Sequence, residues 1–415
     1  MEGYTENDAL TVPREEAPAP EPPKQKEASP KIAQARKKFN LRVIRKEIDK
    51  PFCILILALL VFGIVMMFSA SYARAIAELG DGYYYVKKQI FSAVLGLIFM
   101  IVVSFIDYHF FQTTYIAYGF FLGSVAISIY TVVFGTSTAD ATRWLDLGFI
   151  QLQPSEIMKV GFIIIFAFIM AVNFPYFKSW RYSTLPFAII MAIVMGILVL
   201  QRHMSAVLLM GIIGLTMMFV SGMPKKHFFI FIGLAALAGG LLILYKMFVD
   251  KDFGYITDRI QSWRDPLSDP TDKTLQTYNS LIAIGSGGVF GLGFGESRQK
   301  YLYLPESQND FVFSVVCEEL GLIGALCVIL LFVMFILRGF YIASRAKDRF
   351  GMLMATGITV QIGAQALLNI AVASNAFPNT GISLPFFSYG GTALLIQLAE
   401  MGILLSISRQ SNTAK

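Results

Sequence analysis

Asp310 stands in Asn309-Asp310-Phe311, where a polar stretch meets an apolar run, and Glu318 and Glu319 follow inside that run. Carboxylates at membrane depth are costly, turn toward protein or a water-filled cavity, and mark functional sites. At a cavity mouth a carboxylate can take a proton from a hydroxyl, hold a cation, or simply cap a helix, since Asp is a preferred N-cap residue. A cap does not account for Glu318 and Glu319. Eight and nine residues further along a helix they lie about 12–13 Å deeper, and each must be paired or protonated there.

Other groups with chemical capacity surround this one in the sequence. Arg143-Trp144-Leu145-Asp146 is followed by Gln153-Pro154-Ser155-Glu156-Ile157-Met158-Lys159. Pro154 suits a first helical turn, which makes Glu156 and Lys159 i,i+3 neighbours on one face. That pair either faces a cavity, or is a capping turn whose lysine snorkels to the interface. Lys87 and Lys88 flank the second apolar run on its outer side, against the usual distribution of basic residues, and are either exposed charges tolerated there or contacts for an anionic ligand. Gln201-Arg202-His203 forms a charged hairpin between two apolar runs, able to project into a central cavity or to serve as a turn. Between Phe377 and Thr392 two prolines and three glycines interrupt helix formation. Backbone N–H groups and hydroxyls in such a break can hold phosphate oxygens, or only turn the chain. Together, groups of both signs around a cavity between lipid-facing helices suit an amphiphile carrying a diphosphate and polar sugars.

The elements that must position these residues are membrane helices. Of 415 residues, 55% are hydrophobic and 15% charged, against about 25% charged in a soluble domain. Ten apolar runs, centred near residues 61, 98, 123, 166, 193, 213, 238, 323, 362 and 398, are long enough to cross a bilayer. This is an all-α polytopic fold. Residues 1–50 read as a cytoplasmic tail, rich in Pro, Ala and Glu and then basic, 51–409 as the membrane domain, and 410–415 as a second cytoplasmic tail. The basic connections near Lys178/Arg181, Lys225/Lys226 and Arg338–Arg349 set both termini in the cytoplasm. Residues 250–310 then form a long outer loop. Its run from Leu281 to Gly295 combines a short apolar helix with glycine turns and reads as a re-entrant or interfacial element packed on the bundle. Cys53, Cys317 and Cys327 read as small core residues, with no disulfide or metal spacing. The net charge of +6 sits in loops facing lipid headgroups and does not indicate nucleic acid.

Three segments also carry a resemblance: RWLDLGFIQLQPSEIMK (143–159), SRQKYLYLPESQNDFVFSVVCEELG (297–321) and PNTGISLPFFSYGGT (378–392). In order and spacing, from about Phe52 to Arg409, the chain resembles the SEDS family, which comprises FtsW, RodA and SpoVE. The wording of SWRDP (262–266) and SRQKYLYLP (297–305) is nearer the FtsW/SpoVE branch. The resemblance implies a ten-span peptidoglycan glycosyltransferase of the bacterial cytoplasmic membrane. It would polymerise lipid II at the outer face, in division or sporulation, beside a class B penicillin-binding protein and divisome-type membrane proteins. The family's essential aspartate falls on Asp310, its helix glutamates on Glu318 and Glu319, its Glu-x-x-Lys on Glu156 and Lys159, its basic residue before span two on Lys88, and the serine of its SYGG motif on Ser388. Two departures stand out. The family's Gln-Pro-Asp-Leu-Gly-Thr is Gln201-Arg202-His203-Met204-Ser205-Ala206 here, and its Thr before the aspartate is Asn309.

The implied reaction displaces a diphosphate from C1 of a lipid-linked glycan by a sugar hydroxyl, with inversion. It needs a base, here Asp310, and positive charge at the leaving group, for which Lys88, Lys159 and Arg298 are candidates. Arg143, Glu156, His203, Glu318, Glu319 and Ser388 complete the expected substrate site. A divalent cation such as Mg or Mn is compatible with this chemistry, and no nucleotide is needed. Two rival readings use the same residues: a flippase that moves lipid II without chemistry, and a scaffold that activates a penicillin-binding protein, for which the His203 departure is the main support.

Overall fold

The computed structural model describes residues 47–138, 141–146, 151–245, 254–269 and 274–411. The expected tails therefore lie almost wholly outside the described residues, as does the Arg143 side chain. The chain forms helices α1 (Lys50–Leu79), α2 (Tyr84–Phe105), α3 (Thr114–Phe134), α4 (Pro154–Asn173), α5 (Trp180–Ser183), α6 (Leu185–Leu200), α7 (Met204–Val220), α8 (Lys225–Tyr245), α9 (Gly254–Arg264), α10 (Leu275–Ser286), α11 (Val312–Ser344), α12 (Arg349–Ala373) and α13 (Gly391–Gln410). Eight described helical segments are long and apolar enough to cross a membrane, and α7 is a shorter apolar helix. With α8, a helix covers every one of the expected span centres. Three short antiparallel strands, β1 (Thr136–Thr138), β2 (Ala141–Asp146) and β3 (Gln151–Leu152), pair in chain order within the connection from α3 to α4.

Local chemistry sets the helix ends. Asp49 accepts the Phe52 N–H at 3.0 Å to start α1, and Asp348 accepts the Gly351 N–H at 3.1 Å to start α12. Gly80, at φ +71°, closes α1 by donating its N–H to the Ile76 carbonyl.

Residues 281–295, expected as a re-entrant or interfacial element, dock into a broken helix. α11 loses helical geometry at Gly321 (φ 64°, ψ −160°), which strands carbonyls above the break and N–H groups below it. The glycine turn after α10 takes them up. Leu292 and Gly293 donate to the carbonyls of Glu318 and Glu319 at 2.9 and 3.0 Å, while Leu322 and Ile323 donate to Gly288 and Val289 at 2.9 and 3.3 Å. Every backbone group at this depth needs such a partner. Backbone can meet backbone only because no Cβ intervenes: one on Gly287 would lie 1.9 Å from the Cys317 carbonyl oxygen, and one on Gly291 2.1 Å from that of Glu319.

Contacts sort the connections to two ends. Arg338 pairs with Asp49 at 2.8 Å, Arg349 covers the Phe174 ring, and His227 meets Ser183 at 2.7 Å. The basic connections thus share one end. The loop from Ser297 to Asp310, the segment from Asn375 to Gly391 and the α1–α2 connection share the other. One expectation fails here. Of the three cysteines only Cys317 is buried, whereas Cys53 is half-buried and Cys327 exposed. Lipid is as apolar as a core, so an apolar residue in a span can face outward at no cost.

Candidate active site

Asp310 lies at the end of a tight turn, half-buried. It is not the N-cap of α11, since Phe311 holds that position. The turn is held from several sides. Ser307 donates its hydroxyl to the Ala70 carbonyl of α1 at 3.1 Å. Tyr389 N–H donates to the Gln308 carbonyl at 2.8 Å, and the Ser388 hydroxyl donates to the Asn309 carbonyl. Asn369 of α12 donates its side-chain amide to the carbonyls of Asp310 and Ile382, both at 2.7 Å. Ser388 also accepts the Leu384 N–H at 2.7 Å. Its role here is to close the proline-glycine segment onto the Asp310 turn.

The Asp310 carboxylate abuts that segment. A Cβ on Gly381, which sits at φ +69°, would lie 3.3 Å from Asp310 Oδ2. Around it, Asn309 Oδ1, Asn369 Oδ1 and Thr380 Oγ1 are buried with no hydrogen-bond partner among the described residues. Such orphaned polar atoms are costly. α9 braces the far side: Trp263 Nε1 donates to the Asn375 carbonyl at 3.1 Å, Asn375 returns a bond to Trp263 at 3.2 Å, and Arg259 donates to the Asn379 carbonyl.

The two deeper glutamates are fully buried and engaged. Glu318 accepts the Ser297 hydroxyl at 2.5 Å and the Arg298 N–H at 2.9 Å. Glu319 pairs with Lys300 Nζ at 2.7 Å and accepts the Ser69 hydroxyl at 2.6 Å. Lys300 also donates to the Gly295 carbonyl at 2.6 Å. These groups lock the glycine hairpin and the following loop to α1 and α11. Sequence reading gave Lys300 no role; its signal was proximity to two glutamates that had to be compensated. Arg298 itself is exposed.

Glu156 and Lys159 do share a face, 2.8 Å apart, but both are buried, so Lys159 does not snorkel. Lys159 also donates to Gln365 Oε1 at 3.2 Å. Nearby, Gln361 donates to both oxygens of the buried Glu400 at 2.9 Å, a polar layer that sequence reading missed although Glu400 interrupts an apolar span. Lys88 is exposed at the start of α2, its Nζ 2.5 Å from the Tyr84 hydroxyl and over that ring, while Lys87 is paired with Asp81 at 2.9 Å. Asp81 is held below the usual carboxylate range, chiefly by the hydrogen bond from Lys87. His203 is buried at the start of α7, in the α6–α7 hairpin where Arg202 takes φ +53°. The bonds that build the Asp310 turn come from α1, α12 and the 383–391 segment instead. Among the described residues no group of three or more His, Cys, Asp or Glu is placed to hold a metal ion.

The FtsW/RodA/SpoVE family, described as cell cycle proteins, matches residues 50–413. A probable peptidoglycan glycosyltransferase FtsW from Geobacter sp. is 36% identical over 355 residues, covering 85% of this chain and 94% of that protein. Stage V sporulation protein E of Bacillus subtilis is 36% identical over 368 residues, covering 88% and 97%. Among solved structures, a chain of a peptidoglycan synthase complex that coordinates polymerization and crosslinking aligns with a TM-score of 0.70 at 25% identity, over 87% of this chain and 98% of that one. The rod shape determining protein RodA of Thermus thermophilus aligns with a TM-score of 0.64 at 25% identity, over 88% and 98%. With its helices, its Asp310 turn and its glycine-docked loop all inside the matched region, this chain is a multi-pass membrane protein that belongs to the FtsW/RodA/SpoVE family.

Proposed function

We propose that this protein is a peptidoglycan glycosyltransferase of cell division or sporulation, polymerising lipid II at the outer face of the cytoplasmic membrane with Asp310 as general base. One observation carries the assignment of the base: of the three acidic residues in the 310–319 stretch, Glu318 and Glu319 are fully buried and out of reach of an acceptor sugar, while Asp310 is only half-buried. Asp310 takes the proton of an acceptor sugar hydroxyl. That oxygen bonds C1 of the donor as the C1–O bond to the diphosphate breaks, and the polyprenyl diphosphate leaves. Lys88 and Arg298, exposed at the same end of the bundle, meet the charge developing on the leaving group. Lys159 instead stiffens the bundle through its buried pair with Glu156.

The gathering of basic connections at the end opposite Asp310 supports a cytoplasmic position for both termini and an outer position for the site. A transpeptidase of the class B penicillin-binding type is the proposed partner, supported by the solved neighbour's place in a peptidoglycan synthase complex.

Asp310→Asn preserves size and cannot act as a base. Purified in proteoliposomes with labelled lipid II, this variant is expected to lose about 10²–10⁴-fold in glycan polymer synthesis while its melting temperature stays that of the wild type. Near-normal polymer from it, free of other glycosyltransferases, removes Asp310 from the mechanism. Lipid II movement without polymer in the wild type identifies a flippase, and neither activity identifies a scaffold.

A further inference from the structure

The turn carrying Asp310 is built on a residue in a disfavoured conformation. Glu306 has φ +57°, in the left-handed region that side chains resist. Its carbonyl gathers the N–H groups of Asn309 at 3.0 Å and Asp310 at 3.2 Å. A non-glycine residue stays in this region only where its surroundings fix it. Here they fix the carboxylate. Asn309 Nδ2 donates to Glu306 Oε2 at 2.6 Å, and Arg74 Nη1 donates to Oε1 at 3.2 Å.

Arg74 projects from the outer end of α1 and bridges two acids. Its Nε donates to Glu78 Oε1 at 2.7 Å, and Glu78 Oε2 accepts the Tyr85 hydroxyl from the first turn of α2 at 3.4 Å. Lys88 follows Tyr85 by one turn on α2. A continuous relay, Tyr85–Glu78–Arg74–Glu306, therefore joins the helix that bears Lys88 to the turn that bears Asp310. It runs beside a groove of about 160 Å³ lined by Arg74, Glu78, Lys300, Leu304, Pro305 and Ser307. The Arg74 and Glu306 side chains are 24% and 39% exposed, and ion pairs this wet add little to global stability. The pair's effect is on position. A base must lie within hydrogen-bond reach of its proton, and a misplacement of about 1 Å can cost about 10²-fold in rate.

We propose that Arg74 is a positioning residue: through Glu306 it holds the Asp310 turn in register with the Lys88 end of α2. The proposal rests on Asp310 being the base. Its test measures steady-state lipid II polymerisation by purified Arg74→Gln, Glu306→Gln, the double variant and Arg74→Lys in proteoliposomes, with Asp310→Asn as control. Glu306→Gln keeps an oxygen for Asn309 and loses the ion pair. Each single Gln variant is expected to lower kcat about 10–100-fold, with the KM for lipid II and the melting temperature near wild type. The double variant falls no further than either single, because both remove one interaction. Arg74→Lys, which can reach Glu306 but cannot fork to Glu78, recovers part of the rate. A wild-type kcat in folded Arg74→Gln, a loss that appears in KM alone, a loss that tracks a lowered melting temperature, or multiplied losses in the double variant each overturn it. An inactive Asp310→Asn beside a fully active Arg74→Gln defeats the relay alone; an active Asp310→Asn defeats the base assignment and the relay with it.

Discussion

Asp310 and Lys159 show opposite fates for charges that look alike in the sequence. Asp310 was legible because a carboxylate at a polar–apolar boundary, inside a recognisable motif, has few bland explanations. The partners of its neighbours were not legible, because they come from other elements: Ser69 reaches Glu319 from α1, and Lys300 reaches it from the loop before α11. Arg74 went unread for the same reason, although a lone arginine ending a long apolar helix asks for a carboxylate. Lys159→Met tests the buried pair. Leaving Glu156 buried without its cation costs about 3–5 kcal/mol, so we expect a lower melting temperature with activity falling in step. Lost polymerisation at an unchanged melting temperature places Lys159 at the diphosphate instead.

The glycine hairpin and the interrupted α11 explain why one part of the fold resisted reading. VVCEELGLIGALC continues an apolar run, and neither of its two glycines announces the break at Gly321. Only the partner strand of backbone, itself hidden in a glycine-rich loop, gives the break its reason. Gly291→Ala is the sharp test: it adds a Cβ 2.1 Å from the Glu319 carbonyl oxygen at a residue with φ +81°. The conformational strain alone is about 1–3 kcal/mol. The variant is expected to melt lower and lose polymerisation, whereas Gly285→Ala, which meets open space, stays near wild type in both. Equal behaviour of the two contradicts the docked-hairpin description.

Length and hydropathy anticipated a helix at each of the ten expected span centres, because twenty apolar residues have few other fates. They did not tell which faces meet lipid, as Cys327 shows. Nor did they tell which loop residues meet water: Ser307, in the loop before α11, is buried. In a cysteine-free background, single cysteines at Ser268 and Glu296, both exposed, should react with an impermeant maleimide on intact spheroplasts, and those at Ser179 and Lys347 only after permeabilisation. The reverse pattern inverts the proposed topology. At the end opposite Asp310, His109 sits between Asp348 (3.5 Å) and Asp107 (2.7 Å), with Tyr108 on Asp348 and Gln410 on Asp107. Hydrogen bonding to Asp348, with that to Asp107, holds the imidazole above its usual value despite burial. Burial alone would raise both aspartates, but their hydrogen bonds outweigh it and hold them low. A raised histidine stabilises while protonated, so its contribution is complete below about pH 6.5 and lost as pH rises through the folded value. Melting temperature should therefore decline from pH 6 towards pH 9 more steeply in wild type than in His109→Gln, and parallel curves would count against the clamp.

The backbone exchange across Gly321 has a mechanical consequence. The glycine turn after α10 is spliced into α11 by backbone bonds that cannot open at membrane depth without stranding polar groups in lipid. Loop and upper α11 must then travel as one rigid lever, with Asp310 mounted on it. A push or pull on that loop is not dissipated as local flexing. It arrives at the Asp310 turn as a displacement, which would give a protein bound to the loop a direct handle on the rate of the proposed reaction.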